Sequence, residues 1–224
     1  MAKRKIKSYD PKRFDEEYFE RGLMAGISGY RDYQWMSEPT LKMAHFLITQ
    51  LPIRPGEKVI DYGCAKGYLV KALRILEVDA FGVDISEYAI DQVPPEIRPY
   101  CRLIKGADDP KLFDTPYEWL LSKDVFEHMP EKVLGDLLTQ AKTHANQIFT
   151  VIPLGRDNTS NRFVIPQYDE DVTHITIRTK SWWMDFFEEL GWNTTVFRYS
   201  LRGVKDKWTE AYNKGNGFFQ LEKD

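Results

Sequence analysis

Three observations predict an α/β fold with a doubly wound, mostly parallel sheet of seven strands. From residue 57 onward, strand-like apolar runs alternate with segments whose apolar residues recur at helical spacing. A turn of small residues, Gly63, Ala65 and Gly67 in VIDYGCAKGYL, stands where the first run gives way to its helix. The last two strand candidates are joined by a segment too short and too polar for a packed crossover helix. That predicts an antiparallel pair closing one sheet edge.

The front of the chain, residues 1–36, is irregular and forms an extension or lid ahead of one main domain over 37–224. Within it, FDEEYFERG reads as a short helix and GISGYRDYQW as a loop rich in glycine and aromatic residues. Ser37 is placed as the N-cap of a helix that puts Leu41, Ala44, Leu47, Ile48 and Leu51 on one face. EKVIDYG, the helix carrying Leu69, Ala72, Leu73 and Leu76, and DAFGVDIS make a βαβ unit, which requires a right-handed crossover. RLIKG (102–106), YEWLLSKDVF (117–126), a helix carrying Val133, Leu134, Leu137, Leu138 and Ala141, and QIFTVIP (147–153) extend the pattern to five parallel strands. After a polar insert at 154–173, Ser181 is placed as the cap of WWMDFFEEL, with Gly191 as its stop. NTTVFRYSL (193–201) and GFFQLEK (217–223) supply the edge pair.

Composition narrows the function classes. With 42% hydrophobic residues, 29% charged residues and a net charge of −3 over 224 residues, the chain has the make-up of an ordinary globular domain with a sizeable core. No apolar run approaches the roughly 18 residues that cross a bilayer, and MAKRKIKSYD lacks a secretory apolar region, so a cytoplasmic protein without a membrane partner is expected. Cys64 and Cys101 are too few for a disulfide framework or a cysteine-based zinc site, and both are expected to be reduced. The cluster Lys3, Arg4, Lys5 and Lys7 is short, and the acidic balance offers no broad basic face, so nucleic acid is not the expected partner.

The small-residue turn points to a ligand. In open α/β sheets ligands sit outside the carboxyl ends of the strands, where glycines let the backbone approach them. Asp84, ending the second strand, can accept hydrogen bonds from two ribose hydroxyls. A dinucleotide site wants G-x-G-x-x-G, to rest a pyrophosphate on a helix N-terminus. Here the pattern is G-x-A-x-G preceded by Asp61, whose carboxylate would repel a pyrophosphate but receive an ammonium group. The ligand indicated is an adenosine bearing an amino acid.

DYGCAKG, FGVDIS, LLSKDVFEHMP and the closing strand pair, in that order, resemble the class I S-adenosylmethionine-dependent methyltransferases, over about residues 37–224. The resemblance implies a Rossmann-like methyltransferase fold that binds S-adenosylmethionine and releases S-adenosylhomocysteine. Asp61 would position the methionine part, Gly63, Cys64 and Gly67 would supply close backbone approach, and Asp84 would hold the ribose, with Ile85 against the adenine. Asp108, or Asp109 in its place, would meet the adenine amino group, and Lys123 and Asp124 would lie near the sulfonium. Ala65 replaces the usual middle glycine, which the turn accepts if its φ is negative.

DVFEHMP sets Asp124, Glu127 and His128 beside the expected reaction centre, and VTHITI adds His174. Two uses stay open. The group can serve by hydrogen bonding or as a general base, with His174 and His128 the candidates for taking a proton from the acceptor. D-x-x-E-H with a later T-H also resembles the metal-dependent branch of these enzymes, in which Asp124, Glu127, His128 and His174 would hold Mg²⁺, Mn²⁺ or a similar ion. Tyr30, Tyr33, Trp35 and the polar insert suit a polar small-molecule acceptor such as a sugar or hydroxylated metabolite. An RNA or protein acceptor, or a catalytically idle cofactor-binding domain, is the alternative.

Overall fold

The computed structural model describes residues 9–224; the basic cluster Lys3, Arg4, Lys5 and Lys7 lies outside the described residues. In chain order the helices and strands are α1 (Gly22–Ala25), α2 (Ser37–Gln50), β1 (Lys58–Tyr62), α3 (Tyr68–Ile75), β2 (Asp79–Asp84), α4 (Glu87–Asp91), β3 (Cys101–Leu103), β4 (Tyr117–Lys123), α5 (Glu131–His144), β5 (Ala145–Pro153), α6 (Lys180–Glu189), β6 (Trp192–Arg198), α7 (Asp206–Ala211) and β7 (Asn216–Lys223). The seven strands form one sheet in the order β3-β2-β1-β4-β5-β7-β6. The first five are parallel, and β7 runs antiparallel to both β5 and β6, as the sequence predicts.

Alternation along the strands fills both faces of the sheet. Ile60, Leu120, Ile148 and Leu221 pack with Leu134, Leu137 and Leu138 of α5 and with Trp183 and Phe187 of α6. Their sequence neighbours Val59, Trp119, Leu121 and Phe149 face the other way, onto Ala44 and Leu47 of α2 and Val70 and Leu73 of α3. Burial on both faces accounts for the continuous apolar runs of β1, β4 and β5.

Three local expectations are corrected. Ser37 is the first helical residue of α2, the cap position is Met36, and no side chain caps that end. Thr179, not Ser181, caps α6, its hydroxyl accepting the Trp182 amide, because the helix begins two residues earlier than the aromatic run suggests. The third strand covers only Cys101–Leu103; it is an edge strand, and Asp109 draws the chain after it into a tight loop by accepting the Lys105 and Lys111 amides. Gly191 ends α6 with φ +72, the left-handed stop that glycine favours.

Residues 9–36 lie against the carboxyl ends of β1 and β2. FDEEYFERG becomes a π-helical turn, Glu17–Arg21, running into α1, and buries Tyr18 and Phe19 in a small cluster with Tyr30, Tyr33, Tyr88 and Ala89. Polar contacts fix this segment to the loops beneath. Lys66 reaches Glu20 at 2.5 Å and the Tyr33 carbonyl at 2.8 Å, and the Ser86 hydroxyl donates to the Phe14 carbonyl. The insert after β5 also packs inward, with Phe163 and Ile165 fully buried.

Candidate active site

β1 lies between β2 and β4, the point where the strand order reverses, so the loops after these strands diverge and leave a crevice. Asp61, Asp84, Lys123 and Asp124 are brought together there on the wall of one cavity, with Gly63, Cys64, Ala65 and Ile85. Tyr18, Tyr30 and Tyr33 of the front segment and His128 complete the wall.

The loop after β1 is held by its partner strand. Asp84 accepts the Ala65 amide at 2.7 Å through Oδ2 and the Ser86 amide at 2.8 Å through Oδ1. Ala65 adopts φ +48, so the condition of a negative φ at this position is not met. A non-glycine residue there carries strain of about 1–3 kcal/mol, which the charged acceptor holds in place. The two glycines answer to packing. A Cβ on Gly63 would stand 2.4 Å from Val125, and one on Gly67 would stand 2.8 Å from the Cys101 sulfur, each at a positive φ. Gly63 lines the cavity; Gly67 lies beneath it, against Cys101 and Ile97.

Burial pushes the Asp61 carboxyl up to about 7, with Lys123 pulling it down and Asp84 adding to the rise. Burial also raises Asp84, against the pull of the Ser86, Ala65 and Ile85 amides. Asp108 is exposed, Asp109 is engaged with its own loop, and Ile104 is the residue of that region on the wall.

Two lysines grip Asp124. Lys123 reaches one carboxylate oxygen at 2.6 Å and Lys205, from the loop before α7, reaches the other. Burial opposes its ionisation, but the Lys123 and Lys205 charges outweigh this and hold the carboxyl well below the usual range. Asp124 is thereby engaged by two lysines and is not in the group formed by the other three metal-ligating candidates. Those three come together: ligand atoms of Glu127, His128 and His174 lie within 4.8 Å of one another. His128 stands on the cavity wall, whereas Glu127 and His174, 0% and 6% exposed, are not on it.

Both imidazoles are oriented by oxygen atoms. The His174 Nδ1 lies 2.7 Å from the Tyr168 carbonyl, which only accepts, so Nδ1 carries a proton, and its Nε2 stands 4.0 Å from Glu127 Oε1 and 3.9 Å from Asp171 Oδ2. The His128 Nδ1 lies 2.8 Å from the Thr173 hydroxyl, whose own proton goes to Asp171 Oδ1 at 2.5 Å; the His128 Nδ1 therefore also carries a proton. Burial opposes the charge on Asp171, but His174, His128 and the Thr173 bonds keep it ionised and its carboxyl below the ordinary range. Neither Glu127 oxygen accepts a hydrogen bond of normal geometry from a described residue. Burial and the Asp124 charge push its carboxyl well up, against Lys205, its own amide and Lys123.

The chain belongs to the methyltransferase-domain family: the profile of that description matches residues 33–211. It is a class I S-adenosylmethionine-dependent methyltransferase, and the strand order described above is that of the class. No curated protein matches the sequence. Among solved structures, a chain from the complex of the Haloferax volcanii Trm112 methyltransferase activator with a methyltransferase superposes with a TM-score of 0.63 at 16% identity, over 84% of this chain and 91% of that one. Geranyl diphosphate C-methyltransferase from Streptomyces coelicolor A3(2), solved with Mg²⁺, geranyl diphosphate and S-adenosylhomocysteine, gives 0.60 at 14%, over 81% and 78%. The [4+2]-cyclase SpnF gives 0.58 at 11%, over 82% and 80%. Likeness at these identities extends to the fold. Among the described residues no helix is long and apolar enough to cross a membrane.

The residues present fit the cofactor. Asp61 offers a buried carboxylate for an ammonium group, Asp84 retains lone pairs for a ribose diol, and Ile85 and Ile104 offer apolar wall. Sequence reasoning missed Lys205, Lys66, Tyr18, Asp171 and Thr173. Each acts across a long separation, and only the placement of Asp171 and Thr173 within three residues of His174 could have drawn notice.

Proposed function

We propose that the chain methylates a hydroxyl oxygen of a polar small molecule, with the acceptor activated at a divalent cation held by Glu127, His128 and His174. The observation that carries this reading is the Glu127 carboxylate, fully buried and without a normal hydrogen bond, beside two imidazoles whose Nδ1–H groups are bound elsewhere. Burial favours the neutral form of this carboxyl, with the His174 Nε2 4.0 Å from it. A divalent cation would favour its ionised form, and Nε2 is the ring nitrogen that each imidazole would offer beside it. Ligands 2.0–2.2 Å from one ion lie at most about 4.4 Å apart, so a group within 4.8 Å needs only a small inward shift. Two imidazoles and one carboxylate suit Mn²⁺, Fe²⁺, Co²⁺ or Zn²⁺ better than Mg²⁺.

Such an ion supplies Lewis acidity that lowers the pKa of a bound hydroxyl, and S-adenosylmethionine supplies an electrophilic methyl group. The chain's own residues do the rest. Asp61 and Asp84 hold the donor, Lys123 and Asp124 form the wall between donor and acceptor, and the aromatic cover of Tyr18, Tyr30 and Tyr33 excludes water while the reactants are aligned. A cavity walled by aromatic side chains of the front segment favours a small acceptor over a macromolecule.

Calorimetry with Mn²⁺ and Co²⁺ should show one site per chain that Glu127→Gln abolishes, and chelation should remove methyl transfer until metal is returned. Acceptors are sought by mass spectrometry of extract fractions incubated with labelled methyl donor. Full activity in chelated protein that binds no metal would return the role to His128 as a metal-free base. Label appearing only in RNA or protein would overturn the small-molecule acceptor.

A further inference from the structure

Asp171 joins two parts of the protein that meet nowhere in the sequence. Its Oδ2 accepts the Tyr18 hydroxyl at 3.0 Å, from the segment covering the cavity. Its Oδ1 accepts the Thr173 hydroxyl at 2.5 Å and the Thr173 amide at 2.8 Å, and the Thr173 hydroxyl in turn lies 2.8 Å from His128 Nδ1. All four residues are buried. The cover is bonded to the cofactor loops at one end through Lys66 and Glu20, and to the acceptor side at the other through Tyr18.

We infer that Asp171 is a positioning residue that couples closure of residues 14–36 over the cavity to the orientation of the His128 imidazole. The chain Tyr18 to Asp171 to Thr173 to His128 contains one proton at each link, and every donor has a single direction. With Tyr18 withdrawn, Asp171 loses one of its compensating donors, and a buried carboxylate short of a donor draws harder on those that remain or admits water. Either change alters how Thr173 presents its oxygen to His128. An open cover therefore leaves His128 out of its working orientation, and the reaction is confined to the closed, water-free state. The inference rests on His128 being a site residue in the proposed function, whether as ligand or base.

The test reads both ends of the chain of bonds without using activity, with chelator and S-adenosylhomocysteine present throughout. Tyr18→Phe, which removes one hydroxyl, should change the ring ¹⁵N signals of His128, which lies forty-three residues in sequence from Asp171, the nearer partner of the lost bond. Thr173→Val should speed amide hydrogen exchange in residues 14–36 at least fivefold, and Thr173→Ser, which keeps the hydroxyl, should restore it. If Tyr18→Phe loosens only the cover and Thr173→Val perturbs only His128, the two ends are independent and the coupling is wrong. Failure of metal binding would leave this result untouched.

Discussion

The Asp84 carboxylate accepts the Ala65 amide at 2.7 Å and so holds an alanine at φ +48, where glycine is the residue of choice. Strain in the loop and charge in the strand are thus balanced against each other. Ala65→Gly should relieve about 1 kcal/mol, raising the melting temperature of the free protein by roughly 2–4 °C, as read by differential scanning calorimetry. An unchanged or lower melting temperature would show that the loop adopts this conformation without strain.

Asp84→Ala removes two acceptors at once. Affinity for S-adenosylhomocysteine should fall at least tenfold, about 1.4 kcal/mol or more, and the melting temperature should fall with it, because the Ala65 and Ser86 amides lose their partner. Asp84→Asn keeps one acceptor oxygen and should recover part of the stability but little of the affinity. Equal affinity in the alanine variant would take Asp84 out of the binding site.

Asp61 makes cofactor binding depend on pH. In the free protein burial lifts its carboxyl to about 7, and only the carboxylate can pair with an ammonium group. Affinity for S-adenosylhomocysteine should be flat above that value and fall about tenfold per unit below it. The same shift has the opposite sign for folding. The protonated form is favoured in the fold, so this group lowers the stability of the free protein as pH rises from about 4 to 7. Calorimetry from pH 5.5 to 8.5 checks the first effect, and Asp61→Asn should flatten the profile while lowering the plateau.

Gly63→Ala should cost about 3 kcal/mol, combining a left-handed alanine with a Cβ 2.4 Å from Val125. Chemical denaturation measures it. The double variant with Val125→Ala should recover the contact part and not the backbone part, leaving roughly half the loss; full recovery would mean that φ at this position is unimportant.

How far these relationships can be read from sequence depends on their range. The βαβ unit, the placement of Asp61 and Asp84 at the ends of their strands and the closing strand pair are legible because period, turn residues and strand-end carboxylates lie within short windows. Ala65 was legible as a member of the turn but not as a strained one, since φ is set by the bond from Asp84 nineteen positions away. Ser37 and Ser181 each compete with a neighbour one or two residues off for the cap, and the tertiary entry angle of the helix decides between them. Glu127, His128 and His174 could be named together, but that Asp124 belongs to two lysines instead is fixed by Lys205, eighty-one residues on.

The position of β7 carries a consequence for assembly. It follows β6 in the chain yet lies between β5 and β6, and β6 meets the sheet through β7 alone among the described strands. During synthesis β6 must therefore wait as an unpaired ribbon, and β5 must present an apolar edge, until residues 216–223 have been made and inserted. β7 acts as the closing wedge of the sheet, so pulse-labelled hydrogen exchange during refolding should protect β1 and β4 before β5, and β6 and β7 together at the end.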